Sequence, residues 1–421
     1  MFERSKTTRR DLLRAGAALG SVAALGPASR TAAAEPKRPA PRRAEPLAHA
    51  YVVLTNTNDK RICTCGPGIV HAPDGTLVAT VPYWWRSGPK RPGIVHLLRS
   101  SDGGKTWERL PSLEYFTATP WAHGGALYLF AHRDGRGKYR NDDLVLLRSE
   151  DGGRTWSKPV TLFEGHFWNC PAGIVVRGGR VYRAFDQLDV PGRAERVAGG
   201  ELSGDLIDPR SWRISNPAPF PGVPEALMRP GMPRQSRWLE PNVVDVRGRM
   251  VLISRVEVAA KTTANIAGIC DLADDGKEMH LKFTQFYPIP GGQNKLHIIY
   301  DEVSKLFWTP ATLVTDSQDQ IGYCREARRR GKFSGTGGNE RRILMLMYSI
   351  DALNWFQAGC IAMARKLRQS FMYACPLIDG EDMLILSRTS RDGRDQHDAD
   401  LCTFHRVQHF RRLALDLYPE R

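Results

Sequence analysis

From residue 49 onward the chain is written in short apolar runs cut by turn residues, and no stretch repeats apolar positions at the 3.6-residue spacing of a helix. The runs come in pairs. Ile69-Val70 and Leu77-Val78-Ala79 flank Asp74-Gly75, and Ala126 to Ala131 follows Gly124-Gly125. Ala172 to Val176 and Arg180 to Phe185 flank Gly178-Gly179, while Val243 to Val246 and Met250 to Ser254 flank Arg247-Gly248. Leu296 to Tyr300 precedes Lys305 to Trp308, and Phe371 to Leu377 and Met383 to Ser387 flank Asp379-Gly380. Asp-Gly and Gly-Gly between apolar runs are hairpin signals, because the tightest hairpin turns need positive φ. Six such units over roughly 370 residues leave about 60 for each, enough for a four-stranded blade with one long insertion. The pattern therefore predicts an all-β chain, a six-bladed β-propeller of four-stranded antiparallel blades over 49–421. A β-sandwich or a β-helix is the competing arrangement. Regular Asp-Gly punctuation with tryptophan-anchored outer turns favours the propeller. The insertion Ile321 to Arg342, rich in Gly and Arg, reads as a solvent loop.

The outer turns carry the clearest repeat. Ser100 to Trp107 and Ser149 to Trp156 both read S-x-D-G-G-x-T-W and stand 49 positions apart. The residue types suit a turn: Asp accepts backbone N–H bonds, the Gly pair supplies positive φ, Thr can bond back, and Trp packs the turn onto its sheet. Ser349 to Trp355 keeps the Ser, the Asp and the Trp.

Ahead of the repeats, residues 1–35 read as a targeting segment. Thr7-Thr8-Arg9-Arg10-Asp11-Leu12-Leu13 precedes a short Ala/Gly-rich apolar run, and Ala32-Ala33-Ala34 offers a cleavage site. That pattern is a twin-arginine export signal, and its apolar run is too short to span a membrane stably. The expectation is a periplasmic or extracellular protein, monomeric, without stable membrane insertion after cleavage, joined to its signal by a Pro/Arg-rich linker over 36–48. The formal net charge of +15 overstates the basicity of the repeats, since residues 1–46 hold ten Lys/Arg against four Asp/Glu. The remaining positive charge is scattered through turns and no groove-reading motif accompanies it. An anionic glycan fits that distribution better than nucleic acid does. Eight cysteines show no CxxC pair and no Cys/His metal spacing, so buried free thiols, no structural metal and no cofactor are expected.

In a propeller the innermost strands line a central channel, and chemistry gathers where they begin and where the second strands end. Those positions hold Arg61, His166, Asp186, Glu240, Arg255, Lys295, Tyr373 and Arg388, with His397 in a polar loop after the last of them. Asp-boxes, twin-arginine export and six blades together resemble the sialidase (neuraminidase, BNR-repeat) superfamily over roughly 50–417. The resemblance implies an exo-α-sialidase type of glycosidase, with a tyrosine nucleophile paired with a glutamate, a carboxylate held by three arginines, and an aspartic acid as proton donor. Trp238-Leu239-Glu240-Pro241-Asn242 ahead of Ser254-Arg255 is similar to the family's fourth-blade pattern, and Ser370-Phe371-Met372-Tyr373 to its tyrosine strand. By that likeness Tyr373 and Glu240 are catalytic, and Arg255, Arg61 and Lys295 bind substrate; strand-end position adds His166, Arg388 and His397.

The chain also departs from the family. Arg61-Ile62-Cys63 lacks the family's proline, Tyr83 to His96 contains no carboxylate, and Asn294-Lys295 stands where a third arginine is expected. Two other functions stay open: a propeller lyase using His166 and Tyr373 on a uronate, and a non-catalytic glycan-binding propeller.

Overall fold

Inner and outer strands differ in how many faces they bury, and that difference dictates the architecture. Leu77–Trp85 is buried at seven of its nine positions, whereas Glu108–Leu113 at the edge of the same sheet buries only Leu110. A strand that is apolar on both faces must be covered on both, and sheets standing side by side as blades supply the covers. In the computed structural model, which describes residues 44–87, 92–134, 141–190, 193–227, 236–258, 265–315 and 340–419, six small antiparallel sheets form a six-bladed β-propeller.

Blade one holds Ile62–Thr64, Gly68–His71, Leu77–Trp85, Ile94–Ser100 and Glu108–Leu113; blade two holds Thr117–His123, Ala126–Asp134, Asn141–Ser149 and Val160–Phe163. Blade three is Phe167–Trp168 and Val175–Arg177 against Arg180–Gln187, then Ala194–Glu201 and Trp212–Ile214. Blade four is Ser236–Val246, Arg249–Val258, Ile266–Asp274 and Met279–Pro288, and blade five Ile299–Asp301, Leu306–Leu313, Ile343–Ser349 and Phe356–Met363. Blade six is Ser370–Asp379, Asp382–Ser390 and Leu401–Val407, completed at its outer edge by the first strand of the chain, Val52–Asn56.

Each pair of neighbours shares an apolar core. Leu97 meets Leu129 between blades one and two, Phe130 meets Phe185 between two and three, and Val197 meets Trp238 between three and four. Ile253 packs with Phe307, Trp308 with Ile385, and Leu386 with Val81, which carries the ring back to blade one. Among the described residues helix is limited to the 3-10 turns Pro209–Ser211, Glu225–Leu227 and Phe410–Leu413, and none could cross a membrane.

The two S-x-D-G-G-x-T-W turns fold alike. Asp102 Oδ1 accepts from Thr106 N at 2.9 Å and Oδ2 from the Thr106 hydroxyl at 2.6 Å, while Trp107 Nε1 donates to Gly104 O at 3.0 Å. Asp151, Thr155 and Trp156 repeat these bonds at 2.9, 2.6 and 3.1 Å. At the third turn Asn354 takes the threonine's place on Asp351, and Ala352 adopts φ 59°.

Three expectations need adjustment. Leu47 and Ala48, placed in the linker, donate backbone bonds to Cys360 and Ile361 of blade five, because the outer edge of that blade has carbonyls to satisfy. At the end of the expected solvent loop, Glu340 and Arg341 are buried at 2 % and 1 % exposure; the remainder of that loop lies outside the described residues. Cys360 is only half-buried, unlike the other described cysteines. The export signal and the start of the linker fall outside the described residues.

Candidate active site

Two innermost strands break their ladders. Ser236–Val246 slips register between Leu239 and Asn242, and Ser370–Asp379 between Met372 and Cys375. The residues thrown out of pairing are Glu240 at φ 57° and Tyr373 at φ 50°. Left-handed backbone at a non-glycine residue costs of order 1–3 kcal/mol and persists only where surroundings enforce it. Here they do. The Glu240 N–H is held by Asp186 Oδ2 at 3.1 Å. Two residues on, Asn242 Oδ1 accepts from Gly173 N at 3.3 Å and Ile298 N at 3.2 Å, tying blades three, four and five together. At Tyr373 the missing side chain of Gly66 leaves room for the ring, since a Cβ there would lie 3.3 Å from Tyr373 Cδ1.

The two bulges aim their side chains at one guanidinium. Arg255 Nη1 donates to Glu240 Oε2 at 2.8 Å and to the Tyr373 hydroxyl at 3.2 Å. Its Nη2 donates to Glu257 Oε1 at 2.8 Å and its Nε to Gln293 O at 2.7 Å, so all three nitrogens are fixed. No direct hydrogen bond joins Tyr373 to Glu240; Arg255 bridges them. Two further guanidinium groups flank the tyrosine, with Arg341 5.4 Å and Arg388 5.2 Å from the ring centroid. Arg388 donates to His397 O, and Arg341 N is anchored on Gln396 Oε1 at 2.7 Å, so the loop between the second and third strands of blade six positions both. Trp84 stacked on Phe116 at 4.3 Å, with Trp168 beside them, makes an apolar wall in the cluster that contains Tyr373.

Exposure rises along this chain of contacts. Glu240, Arg255 and Tyr373 are 1 %, 3 % and 6 % exposed, whereas the His397 side chain keeps 38 %. His397 Nδ1 lies 2.8 Å from Asp398 Oδ1, and Arg86 Nε donates to Asp398 Oδ2 at 3.0 Å. The constellation is thus closed at its floor and opens toward solvent at His397.

Burial dominates the electrostatics. Burial and then the Glu240 charge push the Tyr373 hydroxyl up, with Arg255 and Arg341 opposing. Burial brings Arg341 down to about 10. Burial also raises Glu257, but Arg255 and Arg237 outweigh it and hold the carboxyl at about 2. Behind Glu240, burial raises both Asp186 and Glu195, a pair of carboxyls pressed together at 0 % exposure.

The expected residues divide into groups. Tyr373, Glu240, Arg255 and Arg388 come together, with His397 at the rim. Arg61 does not join them: its side chain is 59 % exposed and forks onto Asp59, two residues away, at 2.8 Å. Lys295 is buried, yet it lies beneath the group rather than in it, among Cys375, Cys170 and Arg183. His166 sits 3.8 Å from Asp142. Arg341 and Glu257 went unnamed: Glu257 sits at the end of the second strand of blade four, two residues beyond Arg255, whereas Arg341 stands in the connector ahead of the third strand of blade five. The sequence signal for Arg341 is an arginine pair directly before an apolar strand. No group of three His, Cys, Asp or Glu among the described residues could hold a metal.

No family model matches the chain and no curated protein sequence matches it. Solved structures do. Trypanosoma rangeli sialidase in complex with sialic acid aligns at 16 % identity and a TM-score of 0.56, over 86 % of this chain and 59 % of that one. The Hadza microbial sialidase Hz136 aligns at 18 % and 0.54, over 85 % and 68 %. A Penicillium chrysogenum alpha-L-arabinanase complexed with arabinobiose aligns at 13 % and 0.53, over 86 % and 99 %. The likeness is one of fold, and this chain spans about three fifths of the trypanosomal enzyme's length.

Proposed function

We propose that this chain is an exo-acting glycoside hydrolase of sialidase type, with Tyr373 as nucleophile, Glu240 as its base, and Arg255, Arg341 and Arg388 gripping a sugar carboxylate. The observation that carries it is the single nitrogen of Arg255 bonded to both the Tyr373 hydroxyl and Glu240, with two more guanidinium groups against the same ring. A carboxylate-bearing sugar passing through an oxocarbenium-like state repels an anionic nucleophile, so a neutral phenol that loses its proton as it attacks suits the chemistry. The tyrosine oxygen bonds the anomeric carbon, its proton passes to Glu240, and the leaving group departs with the bonding electrons. Water then bonds the anomeric carbon as the tyrosine oxygen leaves with the bonding electrons; Glu240 returns its proton to that oxygen, and the proton the water loses goes to solvent, where it neutralises the departed leaving group. Guanidinium forks bind carboxylates through paired charge-assisted bonds, which favours an acidic sugar over the neutral arabinan of the fungal neighbour.

Because Tyr83 to His96 carries no carboxylate, the leaving group receives little help with its proton. Aryl glycosides, which leave without one, should turn over faster than alkyl glycosides. The test is hydrolysis of aryl sialosides, aryl arabinofuranosides and uronic-acid oligosaccharides by the purified protein. Sialoside cleavage that disappears in Tyr373→Phe is expected. Arabinofuranoside cleavage alone overturns the acidic-sugar assignment, an unsaturated uronate product identifies a lyase, and binding without turnover leaves a glycan-binding propeller.

A further inference from the structure

Blades one and three interrupt their inner strands at matching places. In blade one the break lies between Ile62–Thr64 and Gly68–His71, and in blade three between Phe167–Trp168 and Val175–Arg177. Inner strands converge on the axis, so the two breaks meet although blade two stands between these blades. Each break carries a cysteine. Cys65 and Cys170 are 1 % and 0 % exposed, both are free thiols, and their Sγ atoms lie 3.8 Å apart.

Both backbones are held in place. The Cys65 N–H donates to Pro82 O at 2.8 Å, and Cys170 O accepts from Arg183 Nη2 at 3.2 Å. Gly66 permits the approach. A Cβ at that position would stand 3.0 Å from Cys170 Cβ and 3.1 Å from its Sγ, so a larger residue would drive the thiols apart. The third cysteine of the cluster is engaged elsewhere, since Cys63 Sγ faces Arg388 Nη2 at 4.0 Å. A disulfide holds its sulfurs at about 2.0 Å, and closing the remaining gap takes rotation about the two Cα–Cβ bonds with a small backbone shift.

We propose that Cys65 and Cys170 are a disulfide-forming pair, a covalent cross-link between blades one and three that no strand pairing supplies. The oxidant is a small-molecule disulfide of the oxidised-glutathione class. A thiolate of the pair attacks it, forming a mixed disulfide and releasing one small thiol. The second cysteine then attacks the protein sulfur of that bond and expels the other small thiol. Two protein thiols are thus oxidised to one disulfide, and one small disulfide is reduced to two thiols. Burial, and then the neighbouring Cys65, push the Cys170 thiol well above its ordinary range. Exchange therefore takes place while the ring is open, and the closed ring shields the bond. The cross-link spans 105 residues, the rest of blade one and all of blade two. The inference stands apart from the proposed glycosidase, because no substrate is needed to test it.

The full chain is equilibrated with excess oxidised glutathione in urea below its unfolding midpoint, returned to buffer, and alkylated under denaturing conditions. A chain about 2 Da lighter than the reduced one is expected, with the Cys65 peptide joined to the Cys170 peptide after proteolysis. Oxidised protein should melt roughly 3–6 °C above reduced protein, because the cross-link restricts the unfolded chain. Cys170→Ser should lose both the joined peptide and that difference. Should that variant not fold, the wild-type peptide map decides alone. Both cysteines recovered alkylated, either one recovered bonded to Cys63 or to glutathione, or a joined peptide without a gain in melting temperature each overturn the cross-link.

Discussion

Blades two and six are built from the same parts, yet only blade six turns chemistry toward the axis. The inner strand of blade two, Thr117–His123, pairs with its neighbour in unbroken register from Thr117 opposite His132 to His123 opposite Ala126. Its buried positions pack, and Pro120 closes on Gly68 so tightly that a Cβ there would meet it at 2.5 Å. The inner strand of blade six carries one register slip, which takes Tyr373 out of the ladder and re-aims its ring. Blade four repeats the device at Glu240. Regular alternation makes a wall, and an irregularity in it makes a functional group. The two irregularities are joined through Arg255.

The strongest way to break that contrast is Tyr373→Phe, which keeps the ring, its cation contacts and the bulge while removing the hydroxyl. Turnover should fall by more than about 10³-fold with the melting temperature nearly unchanged; activity within tenfold of wild type would sink the nucleophile. Phe130→Ala in blade two should do the reverse. It empties part of the core shared with Phe185 and should cost about 3–5 kcal/mol in denaturant unfolding, with kcat per folded molecule preserved. Arg388→Met sharpens the clamp: losing one charge-assisted partner of about 1.5–3 kcal/mol should raise KM by roughly 10- to 100-fold more than it lowers kcat. A kcat loss at constant KM would reassign it.

The smallest expected effects lie in pH dependence and have opposite signs. Burial raises Asp186 above its unfolded value. A raised carboxyl contributes its stability below the unfolded pKa and loses it as pH rises through the folded one. Asp186→Asn still offers an oxygen to the Glu240 N–H, so it should gain stability over the wild type as pH climbs from about 4 to 8. Parallel curves would remove Asp186 as a protonated support. Glu257 is depressed to about 2 from 4.5, so its contribution is present above 4.5 and disappears as pH falls toward 2. Glu257→Gln should match the wild type in acid and melt below it at neutral pH. An equal deficit at both would show that packing, not charge, is at stake.

Much of this was legible in the residues, and the remainder was hidden for identifiable reasons. Paired apolar runs around Asp74-Gly75 or Asp379-Gly380 announce hairpins locally, which is why six blades could be counted. Val52–Asn56 could not be placed, because its partner, Leu401–Val407, stands at the opposite end of the chain. Glu240 and Tyr373 were visible as polar residues in apolar strands; the bulges that aim them were not, since a register slip depends on what lies opposite. Arg61 has the right residue type at the expected strand end, but Asp59 two residues earlier captures it in a local fork. Arg341 fills the cluster from a connector that no strand-end rule samples, so the arginines gather here by convergence in space rather than by position in the repeat.

That Val52–Asn56 completes the blade begun at Ser370 also gives assembly a direction in time. Synthesis makes the outermost strand of blade six first and its partner last, and the entropy of closing so long a loop is met only when both exist. Until then the edge presented by Leu401–Val407 is unpaired, a template for any extended chain nearby. The ring therefore behaves as a clasp rather than a stack of independent leaves. Cutting the chain between Asn56 and Ile62 would leave the covalent order of every other strand intact, yet reduce closure to a bimolecular event, with unfolding that depends on protein concentration.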